Sequence, residues 1–152
     1  MASSTNGKVI HLQLPSRLEL LGVVDKLADG ITEHMEFDDV DRDAVAISVI
    51  EACTNAIQHG NAGDASRMVH VTFRIEADTL TISIADDGRG FRPRSEEEAT
   101  PPDLLATRGR GIFIMREMMD GVSFDFSKGT RVSLVKHRSK PGSGDGEGGA
   151  AS

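Results

Sequence analysis

The chain has 152 residues, which suits one domain with a modest core and leaves no room for two. Its 17 Lys and Arg against 24 Asp and Glu give a net charge of -7, a balance that argues against unaided binding to nucleic acid or to an anionic membrane, both of which need a basic surface. A composition of 38% hydrophobic and 27% charged residues excludes wholesale disorder, and the single Cys53 excludes an internal disulfide or a cysteine zinc cluster and suits a reducing compartment. No apolar run nears the ~20 residues needed to cross a bilayer, and Met1 to Gly7 lacks the basic-then-apolar order of a secretion signal, so a cytoplasmic location is expected. With no Trp or Tyr, the core must come from Ile, Val, Leu, Met and Phe, and the 16 glycines need positional reasons.

Lys8 to Leu14 roughly alternate apolar and polar residues and stop at Pro15, the pattern of a strand. Ser16 with Glu19 three residues on reads as a capping box. Leu18, Leu21, Val24, Leu27, Ala28 and Ile31 then recur at helical spacing, predicting a first helix over about 16–34 with Gly22 as a tolerated weakness. Asp38, Asp39 and Asp41 place negative charge where a helix start favours it, and Val40 to His59 contains neither Gly nor Pro. Wound at ~100° per residue, this segment puts Val45, Ala46, Val49, Ile50, Cys53, Ala56 and Ile57 on one face and Ala44, Ser48, Glu51 and Asn55 on the other. Glu51 and Asn55, four apart, are neighbours on one side, and Gly60, Asn61 and Gly63 end the helix.

Met68 to Glu76 and Thr79 to Asp86 read as a hairpin turning at Ala77-Asp78. Asp87 to Thr107, with its triple glutamate Glu96 to Glu98 and Pro101-Pro102, reads as one long loop, and a loop of that length is usually a lid or a binding loop. Gly109 and Gly111 lead into an apolar helical stretch from Ile112 to Met119. Val122 to Phe126 and Thr130 to Val135 form a last hairpin around Lys128-Gly129, and the Gly/Ser-rich tail after Pro141 is expected to be disordered. The domain is therefore expected over 8–137, between disordered ends at 1–7 and 138–152. The order β, α, α, β, β, loop, α, β, β predicts an α+β two-layer sandwich: a mixed, mostly antiparallel sheet covered on one face by three helices.

Three glycine signals stand out: Asp86-Asp87-Gly88-Arg89-Gly90-Phe91 after a strand, Arg108-Gly109-Arg110-Gly111 before a helix, and Lys128-Gly129-Thr130 between the last strands. No Walker-type loop exists, and neither glycine pair extends to a dinucleotide fingerprint. Singly, each signal reads more simply as a turn or loop, and Glu51 with Asn55 as the exposed polar stripe usual on a surface helix. Their combination in this order resembles the GHKL (Bergerat-fold) ATPase superfamily. Glu51-Ala52-Cys53-Thr54-Asn55-Ala56-Ile57-Gln58-His59-Gly60 is similar to its N-box, Asp86 to Phe91 to its D-x-G-x-G box, and Gly109-Arg110-Gly111 to its second glycine box. Within the superfamily the likeness is to the small serine/threonine-protein kinases that act as bacterial anti-sigma factors. Arg108 directly before Gly109 departs from their pattern, and the likeness spans about Leu14 to Lys136.

The resemblance implies ATP and Mg²⁺, with the Asn55 side-chain oxygen as the protein ligand to the metal, a sparse donor set that suits a cation completed by phosphates and water. Glu51, one turn earlier, would accept the proton of an attacking hydroxyl. Asp86 would take a hydrogen bond from the adenine amino group, with Gly88 and Gly90 letting the backbone pass close and Thr130 near the base. Gly109 to Gly111 would offer N–H groups and a helix N-terminus to the phosphates, with charge from Arg108 and Arg110. His59 at the helix end reads as a cap, Cys53 as a small buried hydrophobe, and Met115, Met118 and Met119 as core. The implied function is a protein kinase that binds a sigma factor, phosphorylates a serine on a STAS-type anti-sigma antagonist and forms a homodimer, without contacting nucleic acid or membrane. The alternatives are a non-catalytic ATP-dependent sequestering module and a stand-alone catalytic domain of the histidine-kinase type, the latter weakened by the lack of a phosphoacceptor-histidine helix pair.

Overall fold

The computed structural model describes residues 7–88 and 101–139, with backbone alone for 101–109. Five strands and three helices come in the expected order: β1 (Lys8–Pro15), α1 (Leu21–His34), α2 (Asp39–Asn55), β2 (Met68–Glu76), β3 (Thr79–Asp86), α3 (Pro101–Met118), β4 (Gly121–Asp125) and β5 (Arg131–His137). The sheet has the order β1-β2-β3-β5-β4, and every pairing in it is antiparallel, so the mixed character expected from the sequence is absent among the described strands. The strands alternate as a half-covered sheet must. Val69, Val71 and Phe73 of β2, Leu80, Ile82 and Ile84 of β3, and Val132 and Leu134 of β5 turn toward the helices and are buried. Each of these side chains contributes roughly 1.5–3 kcal/mol on leaving water.

Three local expectations are corrected. Ser16 caps no helix: α1 is preceded by a short 3-10 turn, Leu18–Leu20, whose N-cap is Arg17 without a side-chain cap bond. The Ser16 hydroxyl donates instead to Arg67 O at 2.8 Å and accepts from Asn61 Nδ2 at 2.7 Å, both distant in sequence. The start of α2 is as expected, with Asp38 Oδ1 accepting the Asp41 N–H at 2.8 Å. Its buried face is broader than the periodicity implies, because α2 lies between α1, α3 and the sheet: Ala44 and Ser48 are buried, whereas Ala46 and Ile50 are only partly covered. Third, the long loop does not reach Thr107, because α3 begins at Pro101 and runs unbroken through Gly109 and Gly111. Proline is tolerated in the first turn of a helix, where its missing N–H has no intrahelical partner to lose. Residues 89–100 of the expected loop, which include Gly90 and the triple glutamate, lie outside the described residues, as do the first six residues and the tail from Lys140.

Candidate active site

The C-terminal end of α2 supplies the first part of the site. Past Asn55 the helix widens into one π turn, Ala56–Gly60, closed by Asn61 N–H donating to Ala56 O at 2.8 Å. Such turns are rare and recur at functional sites, because the extra residue re-aims the chain leaving the helix. Here the turn carries Gly60 over the carboxylate of Asp86: a Cβ on Gly60 would overlap Asp86 Oδ2, and one on Gly88 would overlap Gly60 O. Only bare backbone fits this crossing, which explains glycine at both places.

Asp86, the last residue of β3, is 5% exposed. Its Oδ1 accepts the N–H of Gly88 at 3.0 Å and of Thr130 at 3.3 Å, while its own N–H donates to Thr130 O at 3.1 Å. Gly129, at φ +69°, turns the chain into β5, and a Cβ there would sit 2.9 Å from Asp86 Oδ1. The segments after β3 and before β5 thus hold one carboxylate, and α2's end closes over it. Beside it the Thr130 hydroxyl is buried without a hydrogen-bond partner among the described residues. A buried hydroxyl left so loses about 1–3 kcal/mol, which a polar ligand edge would restore. Asp86 and Thr130 open onto an apolar slot walled by Ala52, Ile84, Met115, Phe124 and Val132. Its volume is about 20 Å³.

Glu51 and Asn55 lie half-buried where α3 crosses α2. The crossing is close at Gly111: a Cβ there would lie 2.6 Å from Glu51 Oε1 and 3.6 Å from Asn55 Nδ2. The structure therefore brings Glu51, Asn55 and Gly111 together, and places Asp86 and Thr130 around the slot that Asn55 also lines, with Gly88 tied to the Asp86 carboxylate. It does not form a helix N-terminus at Gly109 to Gly111. Those residues sit inside α3, where backbone N–H groups are engaged along the helix, so the expected anion cradle is not formed in this conformation. Arg110 is exposed, and the Arg108 side chain and Gly90 lie outside the described parts. The Asn55 side-chain oxygen is a hard donor of the kind Mg²⁺ takes; among the described residues no three His, Cys, Asp or Glu converge on a metal position.

One residue of the site gives no sign of its role in the sequence. Asn61, which reads there as helix punctuation, is fully buried and donates through Nδ2 to Ser16 Oγ at 2.7 Å and to Met68 O at 2.9 Å. Its Oδ1 accepts the Asp87 N–H at 2.9 Å, fixing the chain immediately after Asp86. Asp87 is held from the other side by the N–H of Met68 at 3.2 Å and by His70 Nε2 at 3.0 Å. Cys53 is buried among apolar groups as expected, and burial pushes its thiol up to about 12. Met115 and Met119 are core residues, with Met118 partly buried against them.

Over residues 14–136 the sequence matches the model of the histidine kinase-like ATPase domain, which is more than half the chain. The chain belongs to the histidine kinase-like ATPase domain family. This ATPase domain is 31% identical over 144 residues to serine-protein kinase RsbW of Bacillus licheniformis, covering 90% of each chain, and 27% identical over 139 residues to that of Bacillus subtilis, covering 87% of each. Among solved structures, the RsbU and RsbW domains of a Mycobacterium tuberculosis protein share the fold of the domain at TM-score 0.66 and 18% identity, over 88% of this chain and 33% of that one. Family membership carries ATP as the nucleotide of the domain.

Proposed function

We propose that this chain is an ATP-dependent serine/threonine-protein kinase that acts as an anti-sigma factor, phosphorylating a serine on a STAS-type antagonist protein. The observation that carries the reading is the meeting of Glu51, Asn55 and Gly111 at the crossing of α2 and α3, in a chain related along nine-tenths of its length to serine-protein kinases. Asp86 and Thr130 orient the adenine, with Gly88 and Gly90 keeping the backbone close. The Asn55 side-chain oxygen would hold Mg²⁺, which would supply positive charge against the phosphates. Glu51 accepts the serine proton as the hydroxyl oxygen bonds to the γ-phosphorus and the bond to the ADP oxygen breaks. For Gly109, Arg110 and Gly111 to meet the phosphates, the turn of α3 around them opens. Two glycines there lower helix stability by about 1 kcal/mol each relative to alanine, which makes that opening inexpensive. Arg108 and Arg110 then bring charge to the phosphates.

The partners in this reading are a sigma factor, the antagonist and a second copy of the chain. In this reading self-association uses the sheet face that none of the described helices covers, where His11, Thr72, Ser83, Ser133 and Ser123 stand in one register row across all five strands. None of the described helices is long and apolar enough to cross a membrane. The test is labelled ATP with an antagonist bearing the acceptor serine, comparing the parent with Glu51→Ala. Acid-stable label from the parent alone is expected. Label from both proteins, or from neither while ATP still binds, rejects the role of Glu51.

A further inference from the structure

The two helices that carry the site are tied together at their far ends by a buried charged cluster. Asp41, in the first turn of α2, and Lys136, near the end of β5, have side chains only 8% and 13% exposed. Lys136 Nζ lies 3.7 Å from Asp41 Oδ1 and donates to Met118 O, at the last residue of α3, at 2.8 Å. Asp41 Oδ2 accepts the hydroxyl of Ser139 at 2.8 Å and its N–H at 3.1 Å. A buried ion pair gains little over apolar packing, because both charges lose their water. What an ammonium supplies here is direction: it satisfies a carbonyl orphaned at a helix C-terminus and reaches a carboxylate on a second helix at once. Two other bonds at this end, Asp120 N–H to Val135 O at 2.9 Å and His137 N–H to Asp120 Oδ2 at 2.7 Å, join the segment after α3 to β5 without engaging α2.

We propose that Lys136 is a positioning residue for the nucleotide site: held by Asp41, it fixes the C-terminal end of α3 against α2 and so sets the separation of Gly111 from Glu51 and Asn55. The proposal rests on the reading of those residues as an ATP site. Met118 is seven residues from Gly111, about 10 Å along the helix, so a tilt of only about 6° displaces one relative to the other by about 1 Å. A misplacement of that size at reacting groups is enough to cost up to about a hundredfold in rate.

The experiment uses the full chain with Lys136→Met, Lys136→Arg and the doubly neutral Asp41→Asn/Lys136→Met. The MgATP dissociation constant is measured by calorimetry and amide exchange is tracked along α3, both well below the unfolding temperature of each variant. Lys136→Met is expected to weaken MgATP roughly five- to tenfold and to speed exchange from Gly111 to Met119, with Lys136→Arg restoring both to within about twofold of the parent. If Lys136→Met does not fold, the doubly neutral variant, which leaves no unpaired buried carboxylate, carries the same expectation. MgATP affinity within twofold of the parent in a folded neutral variant overturns the proposal, as does equal weakening by Met and Arg. A parent chain that binds no MgATP overturns the site reading and this proposal with it, whereas one that binds MgATP but transfers no phosphate overturns the kinase reading alone.

Discussion

Replacing Gly111 with alanine separates stability from catalysis at the crossing of α2 and α3. Gly111 is inside α3, and an added Cβ meets Glu51 Oε1 at 2.6 Å and Asn55 Nδ2 at 3.6 Å. The first distance is far inside van der Waals contact, but the obstructed atom is the end of a half-exposed side chain that can swing away. The fold therefore loses little, and the helix gains about 1 kcal/mol from exchanging glycine for alanine. At roughly 2–4 °C per kcal/mol for a chain of this size, thermal unfolding should be unchanged or a few degrees higher. Phosphotransfer should suffer, because the displaced carboxylate is the one proposed to take the serine proton and because a stiffer turn opposes opening toward the phosphates. A loss of at least about tenfold in kcat, about 1.4 kcal/mol of barrier, is expected from a radiolabel assay at saturating ATP. Full activity in a variant at least as stable as the parent would refute the placement of Glu51 and the opening of α3 together.

Asn61→Ala strands three partners at once, the Ser16 hydroxyl, Met68 O and the Asp87 N–H; urea unfolding should show a loss of about 2–4 kcal/mol, and a loss below about 0.5 would show that these bonds are replaced by water. Burial holds the Cys53 thiol protonated up to about 12, against an ordinary value of 9.0. The unfolded chain thus binds fewer protons in that interval, so stability should fall as pH rises from about 9, and Cys53→Ala should flatten that slope in unfolding titrations. Ser133→Arg puts a long cation in the middle of the bare sheet face beside Ser83 and Ser123. Sedimentation of parent and variant should show the proposed dimer replaced by a monomer that still binds ATP, and a dimer of both, or a monomeric parent, would refute the use of this face.

Local patterns are legible where the determining interactions are themselves local. The two hairpins arise from alternation broken at Ala77-Asp78 and around Gly129, and the start of α2 from the acidic cluster Asp38, Asp39 and Asp41. The adjacency of Glu51 and Asn55 likewise comes from the period of a helix. The motif likeness locates the same stretch, residues 14–136, that the family model matches. The start of helix α3 is hidden in the sequence because Pro101-Pro102 has the look of loop punctuation, although proline is compatible with a first turn.

What only the tertiary structure decided is which polar groups meet across long sequence separations. Ser16 has every local feature of a cap, yet Asn61 and Arg67, about fifty positions away, take its hydroxyl. Asp41 reads as one more acidic residue favouring a helix start, yet its carboxylate binds Ser139, 98 positions on. Periodicity assigns α2 one apolar face, but a helix enclosed on several sides buries Ala44 and Ser48 as well. Chain order and motif chemistry are written in short-range spacing, because helices and hairpins close their own hydrogen bonds. The geometry of the site, from Gly60 crossing Asp86 to Gly111 against Glu51, exists only once elements distant in sequence pack within contact of one another.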